Sequence, residues 1–190
     1  ALRRIAILKV TRGSTSLEVD WDPSDGLNGD KGHMYKGFEI SVPAAIAALQ
    51  NEGHSVEIRG MIWHQGEADS STATGRAQYE QNLTEFITTV REDLGYKNLP
   101  FLIGDLERHP DSNDGNRTAI RNAQIAVADA MDFVEFVDSI GLAVQDQHHF
   151  NTAGVVELGR RFAATMNSTI LNLPGDFNRD SVVDAADYVL

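Results

Sequence analysis

Residues 56–69 read Val-Glu-Ile-Arg-Gly-Met-Ile-Trp-His-Gln-Gly-Glu-Ala-Asp. The first eight form a short run rich in apolar and β-branched residues. The sequence then turns polar, titratable and Gly-containing. A run of that kind reads as a strand, and the switch places a chemistry-bearing loop at its carboxyl end. Residues 5–10, 100–105 and 133–137 share the pattern, and all four runs are too apolar for a sheet with one wet face. Helical patterns alternate with them. Tyr79, Leu83, Phe86, Ile87, Val90 and Leu94 line one helical face,. Val42, Ile46 and Leu49 sketch a shorter helix closed by Gly53. Ile120, Ala123, Val127 and Met131 give another, and Val155, Leu158, Phe162 and Met166 the last. Strands alternating with helices predict an α/β fold with a mainly parallel sheet.

The 190 residues suffice for one domain with a real core, or one domain and a small appendage,. With 28 acidic against 16 basic residues, the net charge of −12 argues against nucleic acid or an anionic membrane as partner,. No apolar run approaches the roughly 20 residues that span a bilayer. The absence of cysteine removes disulfides, thiol catalysis and thiolate metal sites,.

Between residues 11 and 37 the chain is rich in Gly, Asp and Ser without clear period, which predicts a long loop of the kind that often carries function. A second irregular stretch covers 109–116. Three polar segments follow apolar strands, where an open α/β sheet places its ligands. They are 12–16 (Arg-Gly-Ser-Thr-Ser), 63–69, and 146–150 (Asp-Gln-His-His-Phe). Asp146, three residues before His149, can fold back onto the imidazole, fix its tautomer and leave the far nitrogen to act as general base. Gln65 offers an amide donor and Gly13 an unobstructed backbone N–H, a pair suited to an oxyanion hole. Each segment alone also has a plainer reading: a surface acid capping a helix, glycines serving turns, a packing Trp63.

Together the segments resemble the SGNH hydrolase superfamily, in its sialate O-acetylesterase-like and carbohydrate esterase family 6 branch. That branch carries Gly-Gly-Thr-Ser-Leu…Trp, Trp-x-Gln-Gly-Glu-x-Asp and Asp-x-x-His-Phe…Gly…Leu-Gly-x-Arg. Here the blocks are Gly13-Ser14-Thr15-Ser16-Leu17…Trp21, then Trp63 to Asp69, then Asp146 to Phe150 with Gly154, Leu158, Gly159 and Arg161. The resemblance implies a flavodoxin-like three-layer sandwich, with His149 as general base, Asp146 as its orienting acid, and Gly13 and Gln65 as oxyanion donors. Glu67 is expected in a supporting role, His148 as a bystander, and His64 packed beside Trp63.

Two departures stand out. Ser14 replaces the second Gly of the first block. The family's nucleophile block, Gly-x-Ser or Gly-Gln-Ser-Asn-Met after the first strand, is not found, and Ser14, Ser16, Ser41, Ser70 and Ser71 sit in other contexts. The expectation is that the domain lacks its N-terminal central strand together with the serine that strand delivers, and that residues 1–190 alone are inactive and poorly stable. The lost strand would sit between 5–10 and 56–63.

The expected organisation is an esterase-like domain over 1–171, a linker over 172–175 and an acidic module over 176–190. Asp176, Asn178, Asp180, Asp184 and Asp187 stand at positions 1, 3, 5, 9 and 12 of a loop, and Val182 supplies a carbonyl at position 7,. The spacing matches an EF-hand-like calcium loop, and Asp187 in last place resembles a type I dockerin repeat. Ser181 stands where Gly permits the sharp turn. A dockerin needs two repeats to hold a cohesin partner, and here a partial first repeat is read. Calcium would be structural, no cofactor would serve catalysis, and such a module favours export. The leading reading is a secreted serine esterase acting on acetylated carbohydrate, such as acetylated xylan or sialic acids. The rivals are a carbohydrate-binding or scaffold protein of the same fold, and a metallohydrolase built on His148, His149, Asp146 and Glu67.

Overall fold

The computed structural model describes residues 4–24, 30–108, 115–146 and 149–171. Three strands, β1 (Met61–Trp63), β2 (Phe101–Gly104) and β3 (Val134–Val137), form a parallel sheet in the order β1-β2-β3. The register aligns Met61 with Phe101 and Phe101 with Val134. Five helices accompany them: α1 (His33–Asn51), α2 (Glu67–Ser70), α3 (Ala73–Leu94), α4 (Gly115–Ala130) and α5 (Thr152–Leu171).

Central strand β2 is buried throughout, which explains its unbroken apolar sequence,. Its side chains alternate between two cores. Phe101 and Ile103 join Trp63, Val134 and residues of α1, α3 and α4 on one face, while Leu102 and Val137 meet Leu158 and Phe162 of α5 on the other. The result is three layers. Phe86 of α3 anchors the larger core, with the rings of Trp63, Tyr35, Trp21 and Phe101 at 4.5, 5.8, 6.1 and 6.2 Å. Such aromatic pairs contribute about 0.5–1.5 kcal/mol each beyond their buried area.

Helix boundaries have local causes. Thr72 caps α3 by accepting from the Gly75 N–H at 2.9 Å, and Gly95 closes it at φ 74°,. Asn151 accepts from the Gly154 N–H at 3.0 Å at the start of α5. A side chain at Gly154 would collide with the Ala143 carbonyl. Buried Arg91 donates to the carbonyls of Leu99, Asp132 and Phe133, tying together the approaches to β2 and β3.

The expected α/β class and parallel sheet are present, with two corrections. Residues 5–10 form no strand: Ile5 and Ile7 are each 89% exposed, and among the described residues β1 pairs only with β2. A β-run needs a neighbour for its N–H and C=O groups, and the described residues offer none. The loop expected over 11–37 ends early, because α1 begins at His33 and buries Met34, Tyr35 and Phe38. The linker and acidic module (172–190) and most of the 109–116 stretch lie outside the described residues.

Candidate active site

The carboxyl ends of the strands gather the polar segments. After β1 the chain turns at Gly66, whose φ of 148° and close approach to Ile120 exclude a side chain, and enters α2,. This turn buries Gln65 and Asp69. The Asp69 carboxylate accepts the backbone N–H groups of Leu17 at 2.9 Å and Glu18 at 3.0 Å, and Nε2 of Gln65 at 2.5 Å. Gln65 Nε2 also donates to the Thr15 carbonyl at 3.0 Å, and its Oε1 accepts from the Tyr79 hydroxyl at 3.2 Å. Tyr79 donates to the Gln65 carbonyl at 2.7 Å, and Trp21 Nε1 reaches Thr15 Oγ1 at 3.2 Å. Burial pushes the Tyr79 phenol well above its ordinary value of 10.0, which suits a permanent donor,. The first two sequence blocks are therefore one buried hydrogen-bonded unit.

That unit presents Gly13 at the surface. A Cβ there would meet nothing within 4 Å, and its N–H makes no hydrogen bond to the described residues. Ser14 sits in the left-handed region at φ 60°, which explains why a second glycine suits this position,.

Asp146 and His149 form a pair. Nδ1 of His149 lies 2.9 Å from Oδ1 and 3.1 Å from Oδ2 of Asp146. The loop that holds them is pinned by the Gln145 N–H on the His149 carbonyl at 2.8 Å and by an antiparallel bridge between Val144 and Phe150. With Nδ1–H given to the carboxylate, the basic lone pair resides on Nε2. Both side chains are exposed, and the ring of Phe150 lies 5.9 Å from that of His64, directly before Gln65. The third block thereby adjoins the second. His148 lies outside the described residues.

The structure commits both Nε2 hydrogens of Gln65 to Thr15 and Asp69, so the amide now braces the Gly13 loop. Glu67 stands in the first turn of α2, where its carbonyl accepts from the Ser70 and Ser71 hydroxyls at 2.7 and 3.2 Å. Its charge is felt at buried Arg117, where it opposes the lowering caused by burial. His64 does not merely pack on Trp63: its Nε2 lies 3.2 Å from the Asp105 carbonyl.

Two residues escaped the sequence reading. Asp69, the last residue of the second block, organises the site. Asp105, at the end of β2, is fully buried and ion-paired with Arg108 at 2.7 Å and Arg121 at 2.6 Å, and it accepts from the Ser139 hydroxyl at 2.9 Å. It joins the ends of β2 and β3. An acid closing an apolar strand was the available signal. Among the described residues no three His, Cys, Asp or Glu side chains converge in a way that could hold a metal ion.

The α/β fold with a parallel sheet is shared with solved structures that include a carbohydrate acetylesterase. The crystal structure of a protein from Arabidopsis thaliana superposes with a TM-score of 0.66 at 25% identity, covering 82% of this chain and 58% of that one. That of a carbohydrate acetylesterase from Xanthomonas citri gives 0.58 at 21% identity, covering 83% and 35%. The model of the carbohydrate esterase, sialic acid-specific acetylesterase family matches residues 2–168, and the chain belongs to this family. A probable carbohydrate esterase of Arabidopsis thaliana is 30% identical over 108 residues, 56% of this chain. The chain spans 39% of that relative's length.

Proposed function

We propose that the protein is a serine esterase that removes acetyl groups from carbohydrate, such as acetylated xylan or sialic acids. The Asp146–His149 pair carries this reading: an imidazole held through Nδ1 by a carboxylate, in a chain whose first block leaves a glycine N–H open. Of the serines in the chain, Ser16 is turned to Asp20, Ser70 and Ser71 to the Glu67 carbonyl, and Ser139 to Asp105. Because the family's Gly-x-Ser or Gly-Gln-Ser-Asn-Met block is not found in the sequence, we assign the nucleophile to a serine N-terminal to Ala1, on a strand between residues 5–10 and β1. Among the described residues the outer edge of β1 has no strand beside it and Ile62 is exposed, and both support that placement.

In the reaction, the serine Oγ attacks the acetyl carbonyl while Nε2 of His149 takes its proton, and Asp146 stabilises the imidazolium. The tetrahedral oxyanion is received by the Gly13 N–H, and by Gln65 once one amide hydrogen leaves the Thr15 carbonyl. Collapse expels the sugar oxygen, protonated by His149. Water activated by the same nitrogen then releases acetate and restores the serine.

Residues 176–187 would bind calcium through Asp176, Asn178, Asp180, the Val182 carbonyl, Asp184 and Asp187, stiffening that segment of an exported protein. A cohesin partner requires a second repeat. Calcium binding is read by isothermal titration of a peptide covering 174–190, where no heat at millimolar calcium removes the assignment. The esterase reading is tested with the full-length protein by acetate release and by mass spectrometry of a trapped acetyl-serine. Release that persists in chelator, with the acetyl group on a serine, supports it. The absence of any acyl-enzyme overturns it.

A further inference from the structure

Arg12 stands one residue before Gly13 and is exposed. Three guanidinium groups are matched to buried carboxylates: Arg108 and Arg121 to Asp105, and Arg117 to Glu107. Arg12 is not. Among the described residues its guanidinium meets only the ring of His33, Nη1 to Nε2 at 3.5 Å. In a chain with 28 acidic and 16 basic residues, a guanidinium beside the candidate oxyanion glycine and without an acid is a conspicuous placement.

The contact is also oriented. A guanidinium only donates, so His33 must offer its lone pair at Nε2 and carry its proton on Nδ1. That nitrogen lies 3.2 Å from Oδ1 of Asp20. Asp20 is held in turn: its Oδ2 accepts the Ser16 N–H at 2.7 Å, and its carbonyl accepts the Met34 N–H at 2.8 Å. His33 is thus anchored, and it steers Arg12 without neutralising it. Space above Gly13 is open, so a ligand whose acetyl oxygen reaches that N–H passes beside Arg12.

We propose that Arg12 is a specificity-determining residue whose guanidinium takes a carboxylate borne by the sugar, so that the site prefers acetyl esters of acidic sugars to those of neutral ones. The planar donor fork matches a carboxylate in two parallel hydrogen bonds, and the neutral sugar offers no such partner. This inference rests on the acetylesterase reading. The shared chemistry is a sugar carboxylate, supplied either by a uronic acid or by a sialic acid.

The test uses full-length protein and three substrates: acetylated methyl glucuronoside, acetylated N-acetylneuraminic acid and acetylated methyl glucoside. The expected acid-to-neutral ratio of kcat/KM is about tenfold or more. Arg12→Gln should bring it close to one, chiefly through KM, and Arg12→Lys should restore part of it. A ratio that Arg12→Gln leaves unchanged overturns the proposal, and the two acidic esters separate uronate from sialate recognition. If no ester is hydrolysed, the esterase reading fails by itself. Titration of the full-length protein with sodium glucuronate and sodium N-acetylneuraminate, followed by NMR, still decides the role of Arg12. Binding weakened in Arg12→Gln supports it, and no binding, or binding that the variant leaves unaltered, overturns it.

Discussion

The carboxylate of Asp69 accepts the backbone N–H of Leu17 at 2.9 Å, joining segments 52 residues apart, while its neighbouring bond to the Glu18 N–H fixes the same turn. Buried at 1% exposure, this acid replaces the hydrogen bonds that the turn would otherwise seek from water,. Asp69→Ala should destabilise the fold by about 3 kcal/mol, because two backbone N–H groups and the Gln65 amide lose their acceptor. Urea unfolding of wild type and variant reads this as a lower midpoint at unchanged slope.

Ser14 offers the opposite case. It holds φ 60° in a block where a related sequence pattern carries glycine. An L-residue in this region costs about 1–2 kcal/mol, partly offset by the greater unfolded-state freedom of glycine. Ser14→Gly should therefore raise stability by about 0.5–1 kcal/mol, seen as a thermal midpoint a few degrees higher.

Arg91 tests the packing between α3 and the sheet. Its guanidinium, lowered from its ordinary pKa by burial, meets three carbonyls that precede or open β2 and β3. Arg91→Ala should cost about 3 kcal/mol, since those carbonyls lose a charged donor in a dry site. Arg91→Lys recovers little, because one ammonium cannot reproduce the planar fork. Denaturant unfolding of the two variants decides.

Burial raises the phenols of Tyr35 and Tyr79 far above the ordinary 10.0, and Asp93 reinforces the shift at Tyr35, whose hydroxyl donates to it at 2.7 Å. A raised folded pKa favours the neutral phenol. The stability it brings is complete below pH 10 and declines as the pH climbs above that value toward the folded pKa. Alkaline titration at the phenolate absorbance should show these two tyrosines ionising only with unfolding.

How far the fold was legible depends on what each signal measured. The runs at 100–105 and 133–137 became strands because apolar sequence there has sheet neighbours on which to act. The run at 5–10 is equally apolar, yet pairing is a property of two segments, and periodicity reports on one. Helix α1 was under-read at its start because Met34, Tyr35 and Phe38 follow a Gly- and Asp-rich stretch that masks the helical period. In the site, the Asp146–His149 pair was legible because three residues before a helix set the geometry locally. Asp69 and Asp105 were not, since their partners Leu17 and Ser139 are distant in sequence. Gln65 was read as a donor toward substrate, whereas its amide donates to the Thr15 carbonyl and the Asp69 carboxylate, both supplied by distant or buried neighbours.

The pairing of Asp146 with Nδ1 of His149 has value for catalysis only if Nε2 moves the proton. Acetate release from acetylated xylan by the full-length protein, compared with its His149→Ala variant at matched folded concentration, measures this. A fall of roughly 10²–10⁴-fold, with a similar loss in Asp146→Ala, is the expected result. A His149→Ala variant that hydrolyses the ester within a few-fold of wild type would show that another group serves as the base.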